Sequence, residues 1–95
     1  MKAYWIGRVN VTNPDSYKKY AELAGPAITK HGGKFLVRGG RHEALEGTAY
    51  ARNVVIEFAS MEQAMACYKS PEYQAALKFA SGASVRDIVV VEGAA

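Results

Sequence analysis

One cysteine, Cys67, stands in the 95 residues of this chain. A lone thiol forms no intramolecular disulfide, and a zinc site built from several thiolates is excluded. Long hydrophobic runs are missing as well. Nothing approaches the ~18 consecutive apolar residues of a membrane-spanning helix, so no membrane partner is expected. The opening stretch MKAYWIGRV carries Arg8 and lacks both a long apolar region and a small-residue cleavage site. It reads as a first strand rather than a signal peptide, and the cytoplasm is the expected compartment. Clustered positive charge is scarce: the net charge is +3, and Lys18-Lys19 is the only adjacent cationic pair. Nucleic-acid binders gather Lys and Arg on one surface, so no nucleic-acid partner is expected. No His-x-x-x-His or His-x-His spacing, P-loop, dinucleotide fingerprint, Ser-His-Asp or Cys-His arrangement occurs. Neither a metal nor a cofactor is expected.

What is present is a core-forming chain, 49% hydrophobic, of a size that suits one domain over residues 1–95 with a modest interior. Residues 3 to 11, AYWIGRVNV, have the β-branched and aromatic content of a strand. Asn13 then caps a helix, Pro14 occupies the first turn where its missing N–H costs nothing, and Asp15 suits the positive helix end. Tyr17, Tyr20, Ala21, Ala24, Ala27, Ile28 and His31 recur at helical spacing and share a face. Gly25-Pro26 predicts a kink there, or two short helices, and Gly32 ends the segment. KFLVRG is a second strand. Residues 40 to 48 form a polar hairpin connection, and 49 to 59 a third strand. Ser60 with Gln63 makes a capping-box pattern before a helix over 61–69. Ser70-Pro71-Glu72 opens another helix, PEYQAALKFA, and VRDIVVVEG is the fourth strand.

The order β-α-β-β-α-β, with right-handed crossovers, predicts an α+β fold of the ferredoxin-like kind. It is a four-stranded antiparallel sheet in the order 4-1-3-2, with the helices on one face. The other face should then alternate with polar residues, yet both faces carry apolar side chains. Tyr4 and Ile6 oppose Trp5, Val9 and Val11. Val55, Glu57 and Ala59 oppose Val54, Ile56 and Phe58, and Val89 and Val91 oppose Ile88 and Val90. Burying roughly 600 Å² of such surface per subunit is worth on the order of 15 kcal/mol before association costs. A homodimer, sheet face to sheet face, is expected.

Several residues could carry chemistry. Arg38 ends an apolar strand beside Gly39 and Gly40. Its guanidinium could anchor a carboxylate or enolate with two parallel bonds, or pair with Glu57 on the neighbouring strand or with a partner subunit. Glu57 is either paired, or at the dimer contact, or a general base with a raised pKa. His31 closes the first helix and His42 lies in the second connection. Each is an acid–base candidate near neutral pH or a plain surface histidine. Tyr17, Tyr20, Tyr68 and Tyr73 with Trp5 form an aromatic set, either core or the lining of a cleft for a flat or acidic ligand. Cys67 reads as a small buried hydrophobe.

The stretches KHGGKFLVRGG, LEG, NVVIEFASMEQAMACYKSPEYQAAL and the closing VVVEG together resemble the small bacterial family known as domain of unknown function 1330. The resemblance extends over nearly the whole chain. It implies a dimeric α+β barrel and no established activity, and it raises Arg38 above the other arginines. Two positions depart from the pattern. Cys67 stands where relatives usually have Trp, and Ala80 at about the place where they often have Arg, which makes a pocket here less cationic. The resulting expectation is a homodimer that binds a small anionic or aromatic ligand. In its enzymatic form it would act without a cofactor on a small aromatic or carboxylated compound, with Arg38 fixing the anion and His42 or Glu57 moving a proton. The alternative is a non-catalytic dimeric interaction or structural module.

Overall fold

The computed structural model describes residues 1–94. The chain runs β1 (Ala3–Val11), α1 (Pro14–Lys30), β2 (Lys34–Arg38), β3 (Arg52–Phe58), α2 (Met61–Lys69), α3 (Pro71–Ala80) and β4 (Ser84–Glu92). The strands form one antiparallel sheet in the order β2-β3-β1-β4. This is the expected ferredoxin-like α+β arrangement, its order read from the opposite edge.

The helix boundaries follow from their caps. Asn13 Oδ1 accepts from the Ser16 N–H, Ser60 Oγ from that of Gln63 and Ser70 Oγ from that of Tyr73. Ser70 serves twice, since its hydroxyl also donates to the Cys67 carbonyl at the end of α2. Gly32 takes φ +85°, and the Gly33 and Gly32 N–H groups return to the carbonyls of Ile28 and Thr29. This pair of bonds satisfies the last turn of α1 and needs the left-handed geometry that glycine adopts freely. Two expectations change. First, α1 is one helix through Pro26 rather than two short ones. Pro26 and Glu22 are both exposed, on the side of the helix where a carbonyl freed by the missing N–H is open to solvent. Second, the capping box at Ser60 is half made. The Gln63 amide donates to the His31 carbonyl, 2.9 Å away, and thereby ties α2 to the end of α1.

Trp5, Ile56, Phe58 and Tyr73 fill the space between sheet and helices, with the alanines of α1, α2 and α3 letting the backbones approach. Cys67 is fully buried among them. Burial, with some help from the Glu72 charge, pushes its thiol up to about 11, so almost no thiolate forms near neutrality. Cys67 should therefore resist iodoacetamide at pH 8 in the native protein and react fully in 6 M guanidinium, as mass spectrometry would read. Rapid native alkylation would show that α2 opens readily.

Two irregularities decide which side chains face where. A β-bulge in β2 sets Phe35 opposite Ile56 but Val37 opposite Val55. Leu36 is the extra residue, and beyond it the alternation is inverted. The connection before β3 spans 39–51, longer than expected, and β3 starts at Arg52 rather than Ala49. The cause is side-chain capture. Asn10 accepts from the Ala51 N–H and donates to the Ala49 carbonyl, while the Tyr50 hydroxyl donates to Asp87. These bonds hold residues 49–51 across one end of the open sheet face instead of in the ladder.

Candidate arginine-lined cleft

A cleft of about 60 Å³ lies between α1 and the helix-side face of the sheet. On β1 the inward positions run Ala3, Trp5, Gly7, Val9, and Gly7 forms part of the floor, where even a Cβ would crowd Ile88 Cδ1 at 3.1 Å. Ala21, Ala24 and Gly25 keep the opposite wall low. The volume suits a few waters or the charged head of a small molecule, well below the roughly 300 Å³ of a full ligand pocket.

Into this largely apolar space come three arginines, Arg38 from β2, Arg52 from β3 and Arg86 from β4, and no acidic residue lines it. Among the described residues none of the three forms an ion pair. Arg86 Nη2 donates to the hydroxyls of Tyr20 (3.0 Å) and Tyr73 (3.1 Å), which bond each other at 2.8 Å. Its guanidinium also lies 4.6 Å above the Tyr20 ring. The Nε and Nη1 of Arg86 are buried without a partner. Together they carry three N–H donors, and each costs about 1–3 kcal/mol when left unmet.

The phenols around Arg86 are not bases. Burial first, then the neighbouring Tyr73, holds the Tyr20 hydroxyl far above its ordinary range. Burial also raises that of Tyr17, outweighing the opposite pull of Arg86 and Arg52. Both stay protonated at neutral pH and serve as hydrogen-bond partners. Arg86 stays charged, because the pull of burial is exceeded by the stabilising influence of Tyr20, Tyr73 and Tyr17.

The other two guanidiniums sit where glycines make room. Arg38 stacks 4.0 Å over the Phe35 ring and reaches α1, where a Cβ on Gly25 would come within 3.2 Å of its Nη2. Gly39 has φ +68°, and a Cβ there would stand 2.6 Å from Arg52 Nη1.

Of the residues singled out in the sequence, Arg38, Tyr17, Tyr20 and Trp5 line the cleft. Tyr73 is fully buried and reaches the cleft only through its hydroxyl on Arg86. Tyr68 packs against Trp5 and Tyr73 without lining the cleft. Glu57 is on the other side of the sheet, paired with Lys2 at 3.3 Å. His42 lies in the exposed connection, its Nδ1 3.1 Å from the Gly40 carbonyl oxygen. His31 bonds Glu72 at the end of α1, and that bond is the main reason the Glu72 carboxyl is held below its ordinary range. The considered pairing of Arg38 with Glu57 does not form. The bulge at Leu36 turns Arg38 toward the helices while Glu57 stays on the open face. Arg86 and Arg52 escaped the sequence reading. Their signal is parity: Arg86 alternates in step with Ile88 and Val90, and Arg52 in step with Val54, Ile56 and Phe58, so each puts a charge on a core-facing row.

The chain matches the family described as Domain of unknown function (DUF1330) over residues 2–94. No curated protein matches it. A protein of unknown function from Rhodopseudomonas palustris has a similar fold, with a TM-score of 0.79 at 17% identity over 99% of this chain and 83% of that one. A dimeric protein of unknown function and ferredoxin-like fold from Bacteroides fragilis gives a TM-score of 0.66 at 13% identity, over 97% and 96% of the two chains. SnoaB, a cofactor-independent oxygenase from Streptomyces nogalater, gives 0.65 at 11% identity, over 99% and 94%.

Proposed function

This chain belongs to the DUF1330 family, and from that premise we propose that it is a homodimer whose subunits each bind a small, flat organic anion in the arginine-lined cleft. The observation that carries the reading is Arg86. Its charged head is buried with unpartnered donors in a space that holds two further unpaired guanidiniums and no acid. A buried charge with unmet donors is costly unless something supplies the acceptors, and a carboxylate or enolate supplies them in the planar geometry a guanidinium favours. The aromatic and aliphatic walls suit a flat body. The homodimer draws on the apolar open face of the sheet and on the dimeric fold neighbour.

The finer form is a cofactor-free enzyme acting on a small aromatic or carboxylated compound. Fixed guanidiniums in a low-dielectric cleft would stabilise negative charge developing on an enolate-like oxygen. The cofactor-independent oxygenase among the fold neighbours is consistent with this chemistry. The acid–base roles considered for His42 and Glu57 gain no support from their positions.

Calorimetric titration with benzoate, and with benzyl alcohol as the neutral control, tests the binding. Benzoate should bind and benzyl alcohol should not. Arg86→Met should weaken benzoate by more than about 100-fold, beyond the effect of one charge-assisted contact. Equal binding of acid and alcohol, or an Arg86→Met variant that binds benzoate like the parent, would remove the reading.

A further inference from the structure

We infer that the ligand is a dianion, a flat dicarboxylate whose two acidic groups lie at opposite ends of its body. One end sits on Arg86 in the depth of the cleft and the other between Arg38 and Arg52 at the mouth. The inference rests on the reading of the cleft as an anion site and narrows its substrate class.

Charge is the first argument. The lining carries three guanidiniums and no carboxylate, so a monoanion on Arg86 leaves Arg38 and Arg52 at the mouth without a counter-charge. The second argument is placement. Arg86 Nε and Nη1 have no access to solvent, whereas Arg38 is exposed and Arg52 partly so. Arg52 Nη1 lies against Gly39, the residue that follows Arg38, so these two share one rim. The cleft therefore has a deep pole and a mouth pole. The third argument is size. The 60 Å³ of the cleft takes one carboxylate head, and the remaining length of a flat body brings the second to the rim.

The test compares terephthalate with its monomethyl ester, a monoanion of nearly the same shape, by calorimetry on the full-length protein. Terephthalate should bind at least about tenfold tighter, one charge-assisted contact's worth. Arg52→Gln should lower terephthalate affinity by more than it lowers that of the half-ester. If the half-ester binds as tightly as the diacid, the dianion inference falls while the anion site stands. If benzoate, the half-ester and the diacid all fail to bind, the anion site itself falls.

Discussion

Replacing Arg86 by methionine should abolish anion binding and leave the fold as stable as before or more so, by up to about 4 kcal/mol. Opposing terms set this expectation. The native arginine gains two hydrogen bonds to Tyr20 and Tyr73 and a ring contact with Tyr20. Against them stand the desolvation of a full charge and the unpartnered Nε and Nη1. Breaking a buried pair costs stability because it strands the other charge, but here no opposite charge is left behind. The two phenols keep their bond to each other. Methionine is unbranched, near arginine's stem in shape, and adapts to the gap. Urea unfolding should give an equal or higher midpoint, while benzoate affinity should drop by more than about 100-fold, beyond the effect of one ordinary charge-assisted bond. A loss of more than about 2 kcal/mol would instead mean that Arg86 is retained as the hub of a tyrosine network, the outcome ordinary for a broken buried hydrogen-bond network. A residue that costs stability and gives affinity is what a binding site predicts.

The split between legible and illegible features has a physical basis. The elements were readable because capping and backbone chemistry are local. Asn13-Pro14, Ser60 and Ser70-Pro71 mark helix starts by their own side chains, and the observed helices begin there. The bulge was not readable. One extra residue, Leu36, leaves no mark in composition, yet it decides the side of the sheet that Arg38 faces. Strict alternation puts Arg38 on the same face as Lys34 and Glu57, away from the helices. β3 starts later than its composition suggests for a similar reason. Residues 49–51 have strand-like composition, but their backbone groups are taken by Asn10, some 40 residues earlier. Arg86 was legible in principle, as a charge on a row otherwise made of Ile88 and Val90. Recognising it required knowing which parity of β4 faces the helices, and both parities are equally apolar. The cleft was the least legible feature. Its floor brings Gly7 beside Ile88 across the β1–β4 pair, a contact that no single segment encodes.

Ile6→Glu should turn a dimer into a monomer of 10.3 kDa without unfolding it. The register aligns Val37, Val55, Ile6 and Val89 in one row across all four strands of the open face. Val89 is 55% exposed and Val37 43%. Beside that row lie Tyr4 and Val91, cross-strand partners. Toward one end come Lys2, Glu57 and Lys34, and toward the other Arg8 and Asp87 beneath Tyr50. An apolar centre with charged ends has the anatomy of an interface. In a two-fold dimer such a row meets its own copy, so a substitution at its middle acts twice. Each glutamate would have to be buried against an apolar row with no cation opposite it, at a cost of several kcal/mol per ion. Ile6 is partly exposed in the isolated subunit, so the same change should cost it about 1 kcal/mol, too little to unfold it. Light scattering at matched concentration reads both masses, and a parent protein that is already monomeric would end the argument. The variant also separates the two halves of the proposed function. The cleft lies on the other side of the sheet, behind the β1 backbone, so a monomer should still bind benzoate with near-parental affinity. If affinity disappears along with the dimer, the second subunit completes the site, and the arginines of one chain are only part of it.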